Sequence, residues 1–192
     1  MGLIGNILQK RRLRKYASRV QTGFVPLSDI RTATFIIDAE DPSREKCLDE
    51  INSFCTGNKI KARIFHSDFR KFNRNVQPVT DAATTFTRKD IGIFGLPKMK
   101  RMRPVIAEDT DLFVSLSPDC RFTMEFLTKA MKARFKIGRC IFPGEPFDLI
   151  IRPDGESRQT ETEMQGKESG QGQNERQLEV FREISGLLKK IR

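Results

Sequence analysis

Two apolar periodicities alternate along the first third of the chain. Thr32–Asp38 (TATFIID) and Ile60–Phe65 are short β-branched and aromatic runs, the composition that strands favour. Between them Cys47, Leu48, Ile51, Phe54 and Cys55 recur at steps of three and four, which places them on one helix face. Asp41-Pro42 supplies an N-cap followed by a proline suited to a first helical turn, and Gly57 supplies the stop. The pattern predicts a strand–helix–strand unit.

A second unit runs from Asp111 to Asp154. Leu112, Phe113, Val114 and Leu116 form a nearly continuous apolar run, as in a strand covered on both faces. Ser117-Pro118-Asp119 breaks it, with Asp119 placed to cap a helix. Phe122, Phe126, Leu127, Ala130 and Met131 then share a face, and the helical segment is expected to stop at Gly138. Pro143-Gly144 turns the chain into a further strand at Phe147, Leu149, Ile150 and Ile151. Right-handed crossovers between parallel strands follow from such units. The expected fold is α/β: a three-layer open sheet of about four mainly parallel strands with flanking helices, plus a basic N-terminal helix.

Residues 66–110 carry weaker signals. Thr84–Thr87 and Ile91–Phe94 are candidates for short strands or a hairpin-like excursion. Met99, Met102, Val105 and Ile106 have helical spacing, although Pro104 would kink or end a helix there. Residues 154–173 are rich in Gly, Glu, Gln, Ser and Thr and read as a flexible insertion. Asn174 with Gln177 resembles a capping pair, and Leu178, Phe181, Ile184, Leu188 and Ile191 form a helical stripe. The organisation expected is a basic helix over residues 1–22 and one α/β domain over 23–192, closed by a helix over 174–191.

Charge changes the picture at the N-terminus. The 192 residues include 35 Lys and Arg against 25 Asp and Glu, a net charge of +10. That balance favours anionic partners: RNA, a ribosome or an acidic membrane surface. Lys10, Arg11, Arg12, Arg14, Lys15 and Arg19 crowd one expected helix that contains no acid. Leu3, Ile4, Ile7 and Leu8 share a face that continues into Arg11, Arg14 and Lys15, whereas Leu13, Tyr16, Ala17 and Val20 lie opposite. The second half can therefore dock while the first projects as an apolar tip, suited to a membrane interface. Further basic groups are Lys98, Lys100, Arg101 and Arg103, then Lys129, Lys132, Arg134, Lys136 and Arg139. Phe69 and Phe72 beside Arg70, Lys71 and Arg74 offer a stacking site for bases.

Catalytic signatures are sparse. Neither GxGxxG nor GxxxxGK[ST] occurs. Asp38, Asp68, Asp119 and Asp154 follow the strongest strands, and carboxyl ends of parallel strands gather ligands. Asp38 and Asp41, with Glu40, form a weak alternative site for Mg²⁺ beside a phosphate; helix capping and turns are the simpler use of such residues. His66 neighbours Ser67 and Asp68, but adjacent strand side chains alternate in direction and do not form a triad. Cys47, Cys55, Cys120 and Cys140 lack CxxC spacing and read as free thiols in a reducing cytosol. The opening residues lack the features of a signal peptide, position 6 is Asn rather than the Ser or Thr of a myristoylation signal, and no apolar run reaches membrane-spanning length.

MGLIGNILQKRRLRKYASRVQTG, IFGLPK, DLFVSL, ARFKIGR and FDLII together resemble a family of small uncharacterised proteins from Bacteroidota. The likeness covers nearly the whole chain apart from residues 155–173 and implies a cytoplasmic protein of one domain, with no implied chemistry. Asp111–Gly138 is also similar to a strand–helix–K-I-G segment of heptosyltransferase-type glycosyltransferases, a likeness of supersecondary structure. The expected function is that of a non-enzymatic cytoplasmic accessory protein, without a cofactor, that binds RNA or a ribosome through its basic clusters. The alternatives are peripheral attachment at the inner membrane through Leu3, Ile4, Ile7 and Leu8, and phosphate or Mg²⁺ chemistry at the strand ends.

Overall fold

The computed structural model describes residues 2–70, 80–153 and 176–191. The elements in order are α1 (Leu3–Tyr16), β1 (Thr32–Asp38), α2 (Arg44–Gly57), β2 (Lys61–Asp68), β3 (Thr85–Thr87) and α3 (Met99–Ile106). They continue with β4 (Thr110–Ser115), α4 (Phe122–Ala130), β5 (Ala133–Gly138), β6 (Leu149–Ile150) and α5 (Arg176–Leu188). All six strands are parallel, in the order β3-β2-β1-β4-β5-β6. The α/β class, the flanking helices and the separate N-terminal helix are as expected, with six strands where about four were anticipated.

Alternation along β1 divides the core into two layers. Phe35 and Ile37 face α2 and α5, where Phe181 meets Phe35 edge-on at 6.2 Å and Phe54 at 5.9 Å. Ile36 points the other way, into a layer that holds Phe113, Met102, Met124 and Phe126. Tyr16 of α1 packs edge-on against Phe126 there, at 6.0 Å. The helical stripe Leu178, Phe181, Ile184 and Leu188 is buried as its spacing predicts.

The largest correction concerns residues 131–138. The helix expected to run to Gly138 stops at Ala130, and Ala133–Gly138 is the strand β5. Only Met131 and Lys132 separate the two, so no Gly, Pro or polar cluster marks the change of period. Gly138 serves packing instead: a Cβ there would lie 2.2 Å from the Phe147 ring, which itself stacks with Phe113. Asp119 does not cap α4, whose first residue is Phe122; its carboxylate binds the Arg121 backbone N–H and guanidinium. Asp41 accepts from the Ser43 N–H at 2.8 Å, and α2 begins just beyond, at Arg44. Of the two short runs in the middle region, Thr85–Thr87 is β3, whereas Ile93–Gly95 is a 3-10 turn with Phe94 in the left-handed region at φ 59°. Pro104 lies within α3.

The reading of the cysteines is also corrected in part. Cys47 and Cys55 are free and buried, but Cys120 and Cys140 form a disulfide with their Cα atoms 5.5 Å apart. They follow β4 and β5, which are neighbours in the sheet, so strand pairing brings together residues 20 apart in sequence. The expected insertion at 154–173, Asp154, Asn174 and the Lys71, Phe72, Arg74 part of the stacking site lie outside the described residues.

Candidate functional site

The strand order reverses direction between β1 and β4, and a cavity of about 340 Å³ opens there at the carboxyl ends. Asp38 and Glu40 enter it from the end of β1, Ser67 and Phe69 from the end of β2. Ser117 and Arg121 come from the loop after β4, Arg139 from the end of β5 and Arg176 from the start of α5. Ser67 Oγ donates to the Ile37 carbonyl and lies 3.1 Å from Ser117 Oγ, so the floor is a pair of linked hydroxyls. The Arg121 guanidinium lies over the Phe69 ring at 4.5 Å and crosses from the β4 side to the β2 side of the opening. Arg139 is buried and donates to the Leu116 carbonyl at 3.0 Å.

Asp38 is reluctant to ionise. Burial, reinforced by Glu40 and Asp41 nearby, pushes its pKa up to about 6 against the opposing hydrogen bond from the Glu40 N–H. Burial and the Asp68 carboxylate raise Glu40 as well. Asp41 is structural: Oδ1 accepts from both Ser43 groups and Oδ2 from the Gln177 N–H at 3.1 Å. Asp38 and Asp41 both line the cavity, and among the described residues no group of three or more His, Cys, Asp or Glu is arranged to hold a metal. His66 stands apart from this chemistry. Both ring nitrogens are buried without a hydrogen-bond partner, and burial lowers its pKa, so the ring is held neutral.

The basic groups separate into free and committed sets. Lys129 pairs with Glu125, Lys132 with Asp109 and Arg134 with Asp111, while Lys136 is buried with its Nζ on the Thr128 carbonyl. Burial lowers the Lys136 pKa to about 8, despite Asp148 nearby. In α3, Arg101 is tied to Asp90 and to the carbonyls of Ala82 and Thr85, whereas Lys98, Lys100 and Arg103 are exposed and form no ion pair among the described residues. Lys10, Arg11, Arg12, Arg14, Lys15 and Arg19 likewise form none; Arg12 and Lys15 lie near the Tyr16 ring.

α1 is held by the side opposite Arg11 and Arg14. Leu13 and Tyr16 pack on the α4 layer, and Gln9 donates to the Phe94 carbonyl at 2.7 Å. Gly5 is buried against Phe94, where a Cβ would come within 3.1 Å of the ring. The outward arc then divides along the helix axis. Leu3, Ile4 and Ile7 are 78%, 66% and 55% exposed; Lys10, Arg11, Arg14 and Lys15 follow one to two turns later. Leu8 is only half-buried rather than fully exposed. Ile93 and Phe94, in the turn under Gly5, are exposed as well.

A family model described as Family of unknown function (DUF6913) matches residues 4–164. The chain belongs to this family. The matched span includes α1, all six strands and most of the cavity lining, leaving α5 and Arg176 outside it. No curated protein and no solved structure matches the chain. Among the described residues no helix is long and apolar enough to cross a membrane.

Proposed function

We propose that the protein attaches peripherally to an anionic lipid surface through the outward face of α1. The observation that carries this reading is the axial division of that face, apolar at Leu3, Ile4 and Ile7 and cationic from Lys10 to Lys15. Apolar side chains gain by entering the acyl boundary, and cations within a Debye length of acidic headgroups add about 1 kcal/mol each. Ile93 and Phe94 widen the apolar end. Lys10, Arg11 and Arg14 are exposed and have no ion pair among the described residues, so headgroup contact there breaks no described ion pair.

Co-sedimentation with vesicles of phosphatidylglycerol and of phosphatidylcholine tests this. The full chain should pellet with the acidic vesicles and largely not with the neutral ones. A Leu3→Ser, Ile4→Ser, Ile7→Ser variant and an Arg11→Glu, Arg14→Glu, Lys15→Glu variant should each lose most of that binding. RNA association offers the competing reading, since it needs the cations alone. Salt-sensitive RNA binding that survives the serine substitutions, with no vesicle binding by the intact chain, would replace the lipid reading with the RNA one.

A further inference from the structure

We propose that the cavity between β1 and β4 binds a small phosphate ester that carries neighbouring hydroxyl groups, either a sugar phosphate or a nucleotide. The walls supply both kinds of group that such a ligand requires. Arg121, Arg139 and Arg176 reach the cavity from three different elements, so their convergence is a property of the fold and not of one basic stretch. Guanidinium groups suit phosphate because their planar N–H forks match its oxygens. Asp38 and Glu40 on the β1 side suit ligand hydroxyls, which donate to carboxylates. Ser67 and Ser117 add short polar contacts on the floor between them.

The carboxylates do not defeat an anionic ligand. Asp38 holds its proton to higher pH than an ordinary aspartate, so placing it near a phosphate costs less than placing a fully ionised group there. Asp119 is already neutralised by Arg121 at 2.8 Å, and that arginine keeps its stacked position over Phe69. The volume of about 340 Å³ fits a monosaccharide phosphate or a mononucleotide and excludes much larger ligands. The proposal is independent of α1, which packs on a different part of the molecule.

Isothermal titration of the intact chain with ribose 5-phosphate, adenosine 5′-monophosphate, ribose and inorganic phosphate tests it. At least one of the two phosphate esters should bind saturably, and ribose should bind far more weakly. Tighter binding of the nucleotide identifies a nucleotide site; tighter binding of the ribose ester identifies a sugar phosphate site. Arg121→Gln should weaken the preferred ester about tenfold, with Arg121→Lys recovering part of the loss. The serine variant of α1 should bind the ester unchanged, which separates this site from lipid attachment. No saturation by either ester at millimolar concentration, equal binding of ribose, or wild-type affinity in Arg121→Gln would overturn the proposal.

Discussion

Gln177 completes the end of β1 at Asp38. Its side-chain Oε1 accepts from the Asp38 N–H at 3.0 Å and its Nε2 donates to the Asp38 carbonyl at 3.1 Å. The amide thus pairs with both backbone groups of one strand residue, and α5 is pinned to the mouth of the cavity by its first turn.

Gln177→Ala should destabilise the protein by about 2–4 kcal/mol, because Gln177 is fully buried and the truncation strands two backbone groups at once. Urea unfolding followed by circular dichroism measures the loss. A change below about 0.5 kcal/mol would mean that water replaces the amide at no cost.

Stability should depend on pH through Asp38. Its folded pKa of about 6 lies well above the ordinary aspartate value, so the folded state holds the proton more tightly. The resulting stabilisation is fully present below the unfolded value and is lost as pH rises through about 6. Asp38→Asn keeps an acceptor for the Glu40 N–H and cannot ionise. It should therefore raise stability at pH 7.5 by on the order of 1–3 kcal/mol relative to the native chain, and the gain should vanish near pH 4. Melting curves at the two pH values decide this; an equal effect at both would rule out ionisation as the cause.

Reducing the Cys120–Cys140 bridge frees a loop whose ends are 20 residues apart, which should lower stability by about 3 kcal/mol. Urea unfolding with and without a dithiol gives the difference, and Cys120→Ser with Cys140→Ser should match the reduced native chain. Thiol labelling of the unfolded, unreduced protein should count two reactive cysteines, Cys47 and Cys55. A count of four would show that the bridge does not form.

The elements that sequence reading located are those with an uninterrupted period and a marked end. β1, α2, β2, β4 and α5 all qualify, and the two faces of α1 were separable from their spacing alone. β5 escaped because Ala133, Phe135 and Ile137 continue the apolar density of α4 across a two-residue link. Of the cavity lining, Asp38, Glu40, Asp41 and Asp119 stood out in the sequence as acids near strand ends, and Phe69 and Arg139 only as members of aromatic or basic clusters. Ser67, Ser117, Arg121 and Arg176 meet through strand order, which no local pattern encodes. The disulfide was hidden for the same reason. Neighbouring strands created it, while spacing in the chain suggested only isolated thiols.

The amide clamp at Asp38 also imposes an order on biosynthesis. β1 emerges early from the ribosome, yet the partner for its last residue is made well over a hundred residues later, together with the Phe181 that fills the layer beneath it. A nascent chain halted before α5 would lack the helix that covers Phe35 and Phe54 from one side, leaving an apolar surface that chaperones and proteases can recognise.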